Sequence, residues 1–384
     1  MLRKFSFIVV TLILTATLGA QTSAPALSRE DRAKLEKLKA TVLGQDRDAA
    51  FAALREIEAM GAPAQRDLLG LLRQALAANK SRLEMTANSI GDVDKFAAIE
   101  KDLAEQRKAA LDNIAALDKK KPETLQKARD FYESLRPNAT KINTANNLRL
   151  VLIDGWSTRN ALIEIFNRIK PADDPALADD EKLKVTSEKV LGLSLADAAA
   201  IPALSDKAKV ADGPARTLYN ARLRNQILAY NKTCEAFMSP GELENFNRVN
   251  DYRDVLGLLP FEADPRLTQS ARRHSKEMLE LKYFSHDSPT AGLKSHTDRM
   301  KAAGYSNGYS ENIAMGARTG EAAFVMWFDS PGHHKNMAGP GLALGVGKWG
   351  VYWTQNMGRG DRLSLKPKDE LKTLKVPGEN VPPG

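Results

Sequence analysis

The sequence predicts two fold classes in one chain, a mostly α N-terminal domain of helical hairpins or a bundle and a smaller α+β domain after it. Three observations lead there. Between Ser28 and Phe237 apolar residues recur at helical spacing, interrupted only by Gly- and Pro-bearing breaks. After about Pro240, strand-like runs appear among the helices. The chain has a single cysteine, Cys234, so no intramolecular disulfide can form and both domains must be held by packed cores.

At 384 residues the chain is too long for one small core, and 43% hydrophobic with 27% charged residues is globular usage. The first twenty residues read as targeting rather than structure. Arg3 and Lys4 give a positive start, Phe5 to Leu18 an apolar stretch, and Gly19-Ala20 a small-residue exit. That stretch falls short of the roughly 20 residues that span a bilayer. A cleaved signal peptide is expected, with an uncleaved anchor as the alternative. No cysteine follows it to carry a lipid. The mature chain is thus expected to be secreted or periplasmic, with no transmembrane segment after cleavage.

Residues 27–238 are expected to form the helical domain. SREDRAKLEKLKATVLG opens on Ser28 with Asp31 three places on, a capping arrangement, and repeats Leu35, Leu38 and Val42 at helical spacing. DAAFAALREIEAM ends at Gly61-Ala62-Pro63, and a second helix begins. This resembles one HEAT-type pair, but no second copy follows. Residues 92–118 read as a long exposed or coiled helix ending at KKKPET. Helices are expected at 124–136, 145–169 and 213–237, with a Pro- and Asp-rich linker at 170–182. Trp156 and Cys234 read as core residues. This half holds no histidine, no phosphate loop and no metal-ligand cluster, so a scaffold or partner-docking role is expected, an envelope protein among the partners.

The α+β domain is expected over 241–360, with a flexible tail at 361–384. Its helices are GELENFNRVNDYRDVLGLLP, ended by Gly257, then DPRLTQSARRHSKEMLELKYFSH and EAAFVMWFDS. Its strands are GYSENIAMG, LALGVGKW and VYWTQNMG, the last two a hairpin around Trp349-Gly350. A net charge of +8 without a basic, aromatic-laced stripe gives no nucleic-acid footprint.

All five histidines fall between His274 and His334. The concentrated polar chemistry lies in KYFSHDSP with His286, GYSENIAMG with Glu311, WFDSPGHHKNM with His333 and His334, and VYWTQNMG. Two imidazoles and a carboxylate on one cleft suit a divalent metal, an anchored water or acid–base work. Ser330 is placed as an N-cap and Pro331 as the first helical residue, which puts His333 in the first turn, where the helix dipole favours a neutral ring. His334 points about 100° away and reads as surface or phosphate-facing. His274 reads as a helix-surface residue and His296 as a loop residue, while Asn312 and Asn336 tie loops to the sheet. Tyr352 and Thr354 share one face of the last strand, and Trp353 and Gln355 the other.

Seven pieces in order, NDYRDVLGLLPFEADPRLTQSARRHSKEM, FSHDSP, DRMKAAGY, SENIAMG, WFDSPGHHKNM, LALGVGKW and YWTQNMG, make residues 247–358 resemble the CAP superfamily. This is the domain of cysteine-rich secretory, antigen 5 and pathogenesis-related proteins, and the resemblance is to its cysteine-free bacterial branch. It implies an α-β-α sandwich and a cleft of two histidines and two acids. His286 and Glu311 keep their places, while Ser330 stands at the second acidic position and Tyr352 at the second histidine. The resemblance turns Tyr352 and Thr354 toward the cleft and makes His333 the second imidazole. A divalent metal such as Zn would draw on His286, His333 and Glu311. Three functions stay open: a module that binds a small ligand, lipid, glycan or cell-wall component, a metal- or water-dependent hydrolase of peptide or cell-wall substrates, and a structural envelope protein. Enzymatic activity is the less expected, because no nucleophile motif and no HExxH is present.

Overall fold

A computed structural model describes residues 26–44, 46–169, 174–178, 180–201, 210 and 212–366. The expected signal segment and the tail from residue 367 lie outside the described residues. The described residues contain thirteen α-helices and one four-stranded sheet, the helical-plus-α+β composition that the sequence predicts. No described helix is long and apolar enough to cross a membrane.

The described chain clusters into two compact units, one of residues up to Gly91 with 151–199, the other of 92–150 with 200 onward. In the first, α1 (Arg29–Val42) starts where the Ser28 hydroxyl accepts from the Asp31 N–H, and α2 (Arg47–Ala59) where Asp46 caps Ala49. A left-handed Gly61 and Pro63 turn the chain into α3 (Gln65–Ile90). Leu35, Ile57, Leu68, Leu72 and Phe166 form the core of these helices. At Gly155 the backbone meets α3 so closely that a Cβ would sit 2.7 Å from Leu83, and Asn79 donates to the Gly155 carbonyl at 2.9 Å. Trp156 is buried there, as expected.

Next come α4 (Val93–Ala115) and α5 (Pro122–Ile169). The sequence predicts two helices across α5, at 124–136 and 145–169. The structure has one helix of 48 residues that carries Pro137 inside it. A proline removes one backbone hydrogen bond. The buried run Leu135, Ala139, Ile142 and Ala145 continues straight through it and holds the helix. Of the expected linker, Pro175–Leu177 forms a short 3₁₀ turn, and the preceding Asp174 is buried against Arg73 at 2.7 Å. The first unit closes with α6 (Glu181–Leu191) and α7 (Leu195–Ala199).

The second unit contains α8 (Pro214–Cys234), α9 (Pro240–Val255), β1 (Glu262–Ala263), α10 (Pro265–Glu280), α11 (His296–Ala302) and β2 (Gly308–Met315). It ends with α12 (Gly320–Phe328), α13 (Pro331–Met337), β3 (Ala343–Trp349) and β4 (Tyr352–Gly358). The expected division near residue 240 is not where the cores divide. Leu103, Ala110 and Ile114 of α4 and Tyr132, Leu135 and Ile142 of α5 share one hydrophobic cluster with Phe246, Tyr252, Trp327 and Trp353. The helix expected over 92–118 as exposed or coiled therefore buries an apolar stripe. Residues 361–366 are likewise packed: Leu363 is buried, and Ser364 and Arg362 bond to the buried Glu262.

The sheet runs β1-β3-β4-β2, parallel between β1 and β3 and antiparallel elsewhere. Register fixes its two faces. Gly345 and Gly347 of β3, Thr354 and Asn356 of β4, and Glu311 and Ile313 of β2 share the face covered by α10. Trp353 and Gln355 point the other way onto α9, with Gln355 donating to Asn245 at 2.7 Å and Trp353 lying against Gly241. The result is an α-β-α sandwich whose edge strand β2 carries Glu311.

Candidate functional site

The α10 helix is followed by a tight turn in which Lys282 takes a left-handed φ of 57° and the Tyr283 N–H returns to the Met278 carbonyl. The loop beyond it is tied to Glu277, whose carboxylate accepts from Tyr283, Ser288 and Thr290 hydroxyls. This loop presents His286. A capping box of Ser295 and Asp298 then starts α11 and turns Arg299 inward.

Arg299 is 1% exposed and organises the site. Its Nη1 donates to the carbonyls of Leu293 and Lys294, and its Nη2 to the His286 carbonyl at 2.9 Å and to Glu311 Oε2 at 2.7 Å. Glu311 in turn accepts from His286 Nδ1 at 2.9 Å. The Asn356 amide, with its oxygen turned to Ser270 and the Ala271 N–H, places its nitrogen 3.2 Å from Glu311 Oε2. Burial pushes the Glu311 carboxyl up, but the His286 hydrogen bond and the charges of Arg299 and His274 outweigh it, and the net direction is down. The carboxylate is therefore ionised, buried and fixed. It holds His286 through Nδ1, while that side chain remains half exposed.

His333 reaches the same opening from α13, with ring centres 6.3 Å apart. Its pKa is lowered by burial first, then by His286 and Lys119, so it is neutral as expected, with burial the leading cause. Asn312 donates to the His333 carbonyl at 3.2 Å, and Asn336 donates to Asn312 at 2.8 Å, tying α13 to β2 as expected of both.

The other expected residues lie elsewhere. Ser330 takes the N-cap position, but its hydroxyl makes no capping bond; its carbonyl accepts from His334 N–H. Thr354 is fully buried beneath α10 and bonded to Ser275 at 2.9 Å, since helix and sheet approach too closely there for an open cleft. Tyr352 stands at the hairpin end against Phe284, ring centres 6.3 Å apart. His274, read as a surface residue, is buried with Nε2 3.1 Å from the Ser285 carbonyl and 3.9 Å from Glu311, and burial lowers its pKa. His296 opens α11 rather than lying in a loop, and burial lowers its pKa too. Arg299, His274 and Asn356 are the residues sequence reasoning misses.

His334 corrects the reading of the doublet. It is fully buried, with Nδ1 2.7 Å from the Phe328 carbonyl and Nε2 2.5 Å from the Tyr252 hydroxyl. Nδ1 donates and Nε2 accepts from Tyr252, so the neutral ring satisfies both partners. Burial lowers its pKa from 6.5 to about 4. A depressed histidine contributes stability that is full above pH 6.5 and declines as pH falls toward 4. At about 1.4 kcal/mol per unit the loss is on the order of 3 kcal/mol. Urea unfolding at pH 7 and pH 4.5 should show His334→Gln with a much shallower acid loss than the wild type. Parallel pH profiles would overturn the assignment.

The site poorly fits a divalent metal. The Glu311 carboxylate is engaged by Arg299, a fixed cation at 2.7 Å, and by His286. Among the described residues no three His, Cys, Asp or Glu side chains are placed to hold an ion. The arrangement suits a hydrogen-bonding role or proton transfer at His286 Nε2 instead.

Comparison with known proteins agrees with this architecture. A model of the CAP, cysteine-rich secretory protein family, matches residues 246–347. The uncharacterized protein YkwD of Bacillus subtilis is 42% identical over 111 residues, 28% of this chain and 42% of its own length. The uncharacterized membrane protein YlbC of the same organism is 29% identical over 150 residues, 37% of this chain and 41% of its own. The chain thus spans about two fifths of the curated relatives that it matches. A crystal structure of an extracellular SCP-domain protein from Bacillus anthracis aligns at 34% identity over 31% of this chain and 40% of that one, with a TM-score of 0.30. The chain therefore carries, at residues 246–347, a CAP domain of the cysteine-rich secretory protein family.

Proposed function

We propose that the chain is an exported binding module whose CAP domain holds a small polar ligand, lipid headgroup or glycan between His286 and His333. One observation carries this: the buried, charge-compensated Glu311 orients the half-exposed His286 beside a second imidazole. Such pre-orientation lowers the ordering cost of binding. Export is supported by the pattern of residues 1–20, and the helical residues outside the CAP domain offer a docking surface for an envelope partner.

The test follows the imidazole NMR signals of His286 and His333 while adding muropeptides from digested peptidoglycan or, separately, short-chain phospholipid. Saturable shifts with one probe, weakened ~10-fold in Glu311→Gln as expected for loss of a charge-assisted contact, support the reading. Absence of any shift with both probes sinks it. The same 2.9 Å contact supports a second reading, water-dependent hydrolysis with His286 as base. Cleavage of the muropeptides that disappears in Glu311→Gln would establish that one.

A further inference from the structure

We propose that the rim of the CAP domain around the β3–β4 hairpin tip docks on an anionic lipid surface. Five large apolar side chains project there: Leu279 at 40% exposure, Leu281 at 54%, Phe284 at 47%, Met315 at 45% and Val351 at 44%. They come from the end of α10 and the turn after it, the end of β2, and the hairpin tip.

These residues form one patch. Met315 and Trp349 both stand opposite Tyr352 in the ladder, and the Phe284 ring lies 6.3 Å from the Tyr352 ring. The Gly316 N–H donates to the Val351 carbonyl at 2.9 Å, joining the end of β2 to the hairpin tip. Leu279 approaches so near Gly350 that a Cβ there would meet it at 3.4 Å. Scattered exposed apolar residues are ordinary, whereas a contiguous group at one rim marks an interaction surface.

The chemistry of the rim selects the partner. Its aromatics include Trp349 and Tyr352, whose apolar rings with polar edges suit the level of lipid headgroups. Lys276 places its ammonium 5.2 Å from the Trp349 ring centre, Lys282 sits in the exposed turn, and Arg318 is exposed two residues past Gly316. Glu280, 4.0 Å from Lys276, and the exposed Asp287, three residues past Phe284, offset two of these charges and leave the rim basic by one. Apolar side chains ringed by cations complement a bilayer surface rich in anionic lipid. Phe284 is two residues from His286, so docking would bring the cleft to the headgroups. The proposal is independent of what the cleft binds.

The test is sedimentation of the full chain with vesicles of phosphatidylglycerol mixed with phosphatidylcholine, and with phosphatidylcholine alone. Residues 1–20 are common to every variant, so differences report the rim. Phe284→Ser with Val351→Asp is expected to cut partitioning onto the mixed vesicles ~10-fold or more through lost apolar burial. Lys282→Glu with Arg318→Glu should lower binding to the mixed vesicles only, as should added salt. Light scattering of the same samples covers the alternative occupant, a second copy of the chain. Partitioning equal to the wild type in the apolar variant, or a dimer that this variant abolishes while vesicle binding persists, overturns the proposal. If near-UV circular dichroism shows that variant unfolded, Leu281→Gln and Met315→Gln singly decide it, each expected to weaken partitioning ~3-fold.

Discussion

Arg299→Met is expected to destabilise the protein by about 3–5 kcal/mol at pH 7, the range for removing one partner of a buried ion pair. The variant leaves the Glu311 carboxylate buried with its fixed cation gone, and it strips donors from the carbonyls of His286, Leu293 and Lys294. The pH dependence identifies the cause. In the wild type the Glu311 pKa is depressed, so its contribution is present above the unfolded value of 4.5 and lost as pH falls through the folded value. Without Arg299 two of the influences that hold the carboxyl down are lost, so its folded pKa moves up. The penalty relative to the wild type then grows as pH rises and shrinks in acid. Urea unfolding at pH 7 and pH 4 should show a loss at least about twice as large at pH 7. Arg299→Met with Glu311→Leu should recover part of it, because neutral replacements of buried pairs are often tolerated. A loss under about 1 kcal/mol at pH 7, or one independent of pH, would show that the pair does not hold the site together.

The same pair shows what the sequence could disclose. His286, one of five histidines, and Glu311 stand out in short polar motifs, and the structure joins them. Arg299 was hidden because an arginine in a short amphipathic segment reads as solvated, and only the docking of α11 turns it inward. The His333–His334 doublet shows a related limit. Helical geometry separates the two directions by about 100°, but it does not say which direction meets the core. That was decided by Tyr252, 82 residues earlier in sequence, whose hydroxyl receives the His334 ring. The domain boundary failed for a similar reason. Leu103, Ala110 and Ile114 mark a buried stripe on α4, yet periodicity does not name the partner, which is the CAP core. Pro137 misled in the opposite direction, since local helix-breaking is outweighed by an apolar stripe continuing past it.

The glycines of LALGVGKW carry the second large effect, and they explain how α10 can deliver its side chains to the site. A Cβ on Gly347 would lie 2.1 Å from the Arg272 nitrogen and 2.3 Å from the Ala271 carbonyl carbon; on Gly345 it would lie 2.1 Å from backbone atoms of Leu267 and Thr268. These obstructing atoms belong to a helix backbone, so no side-chain rotation relieves the overlap. Gly347→Ala should therefore cost about 3 kcal/mol or more, at or beyond the upper end of overpacking in cores. Gly332→Ala is the matched control: its Cβ meets nothing within 4 Å inside a helix, and it should be neutral or stabilising by up to about 1 kcal/mol. Urea midpoints at constant m-value separate the two. A Gly347→Ala protein that still folds must lift α10, breaking the Ser275 bonds to Gly347 and Thr354 and drawing His274 away from Glu311. Its His286 imidazole signal should then shift although residue 347 touches neither His286 nor Glu311. A wild-type midpoint with an unshifted signal would mean that the close approach of α10 to β3 does not set the site.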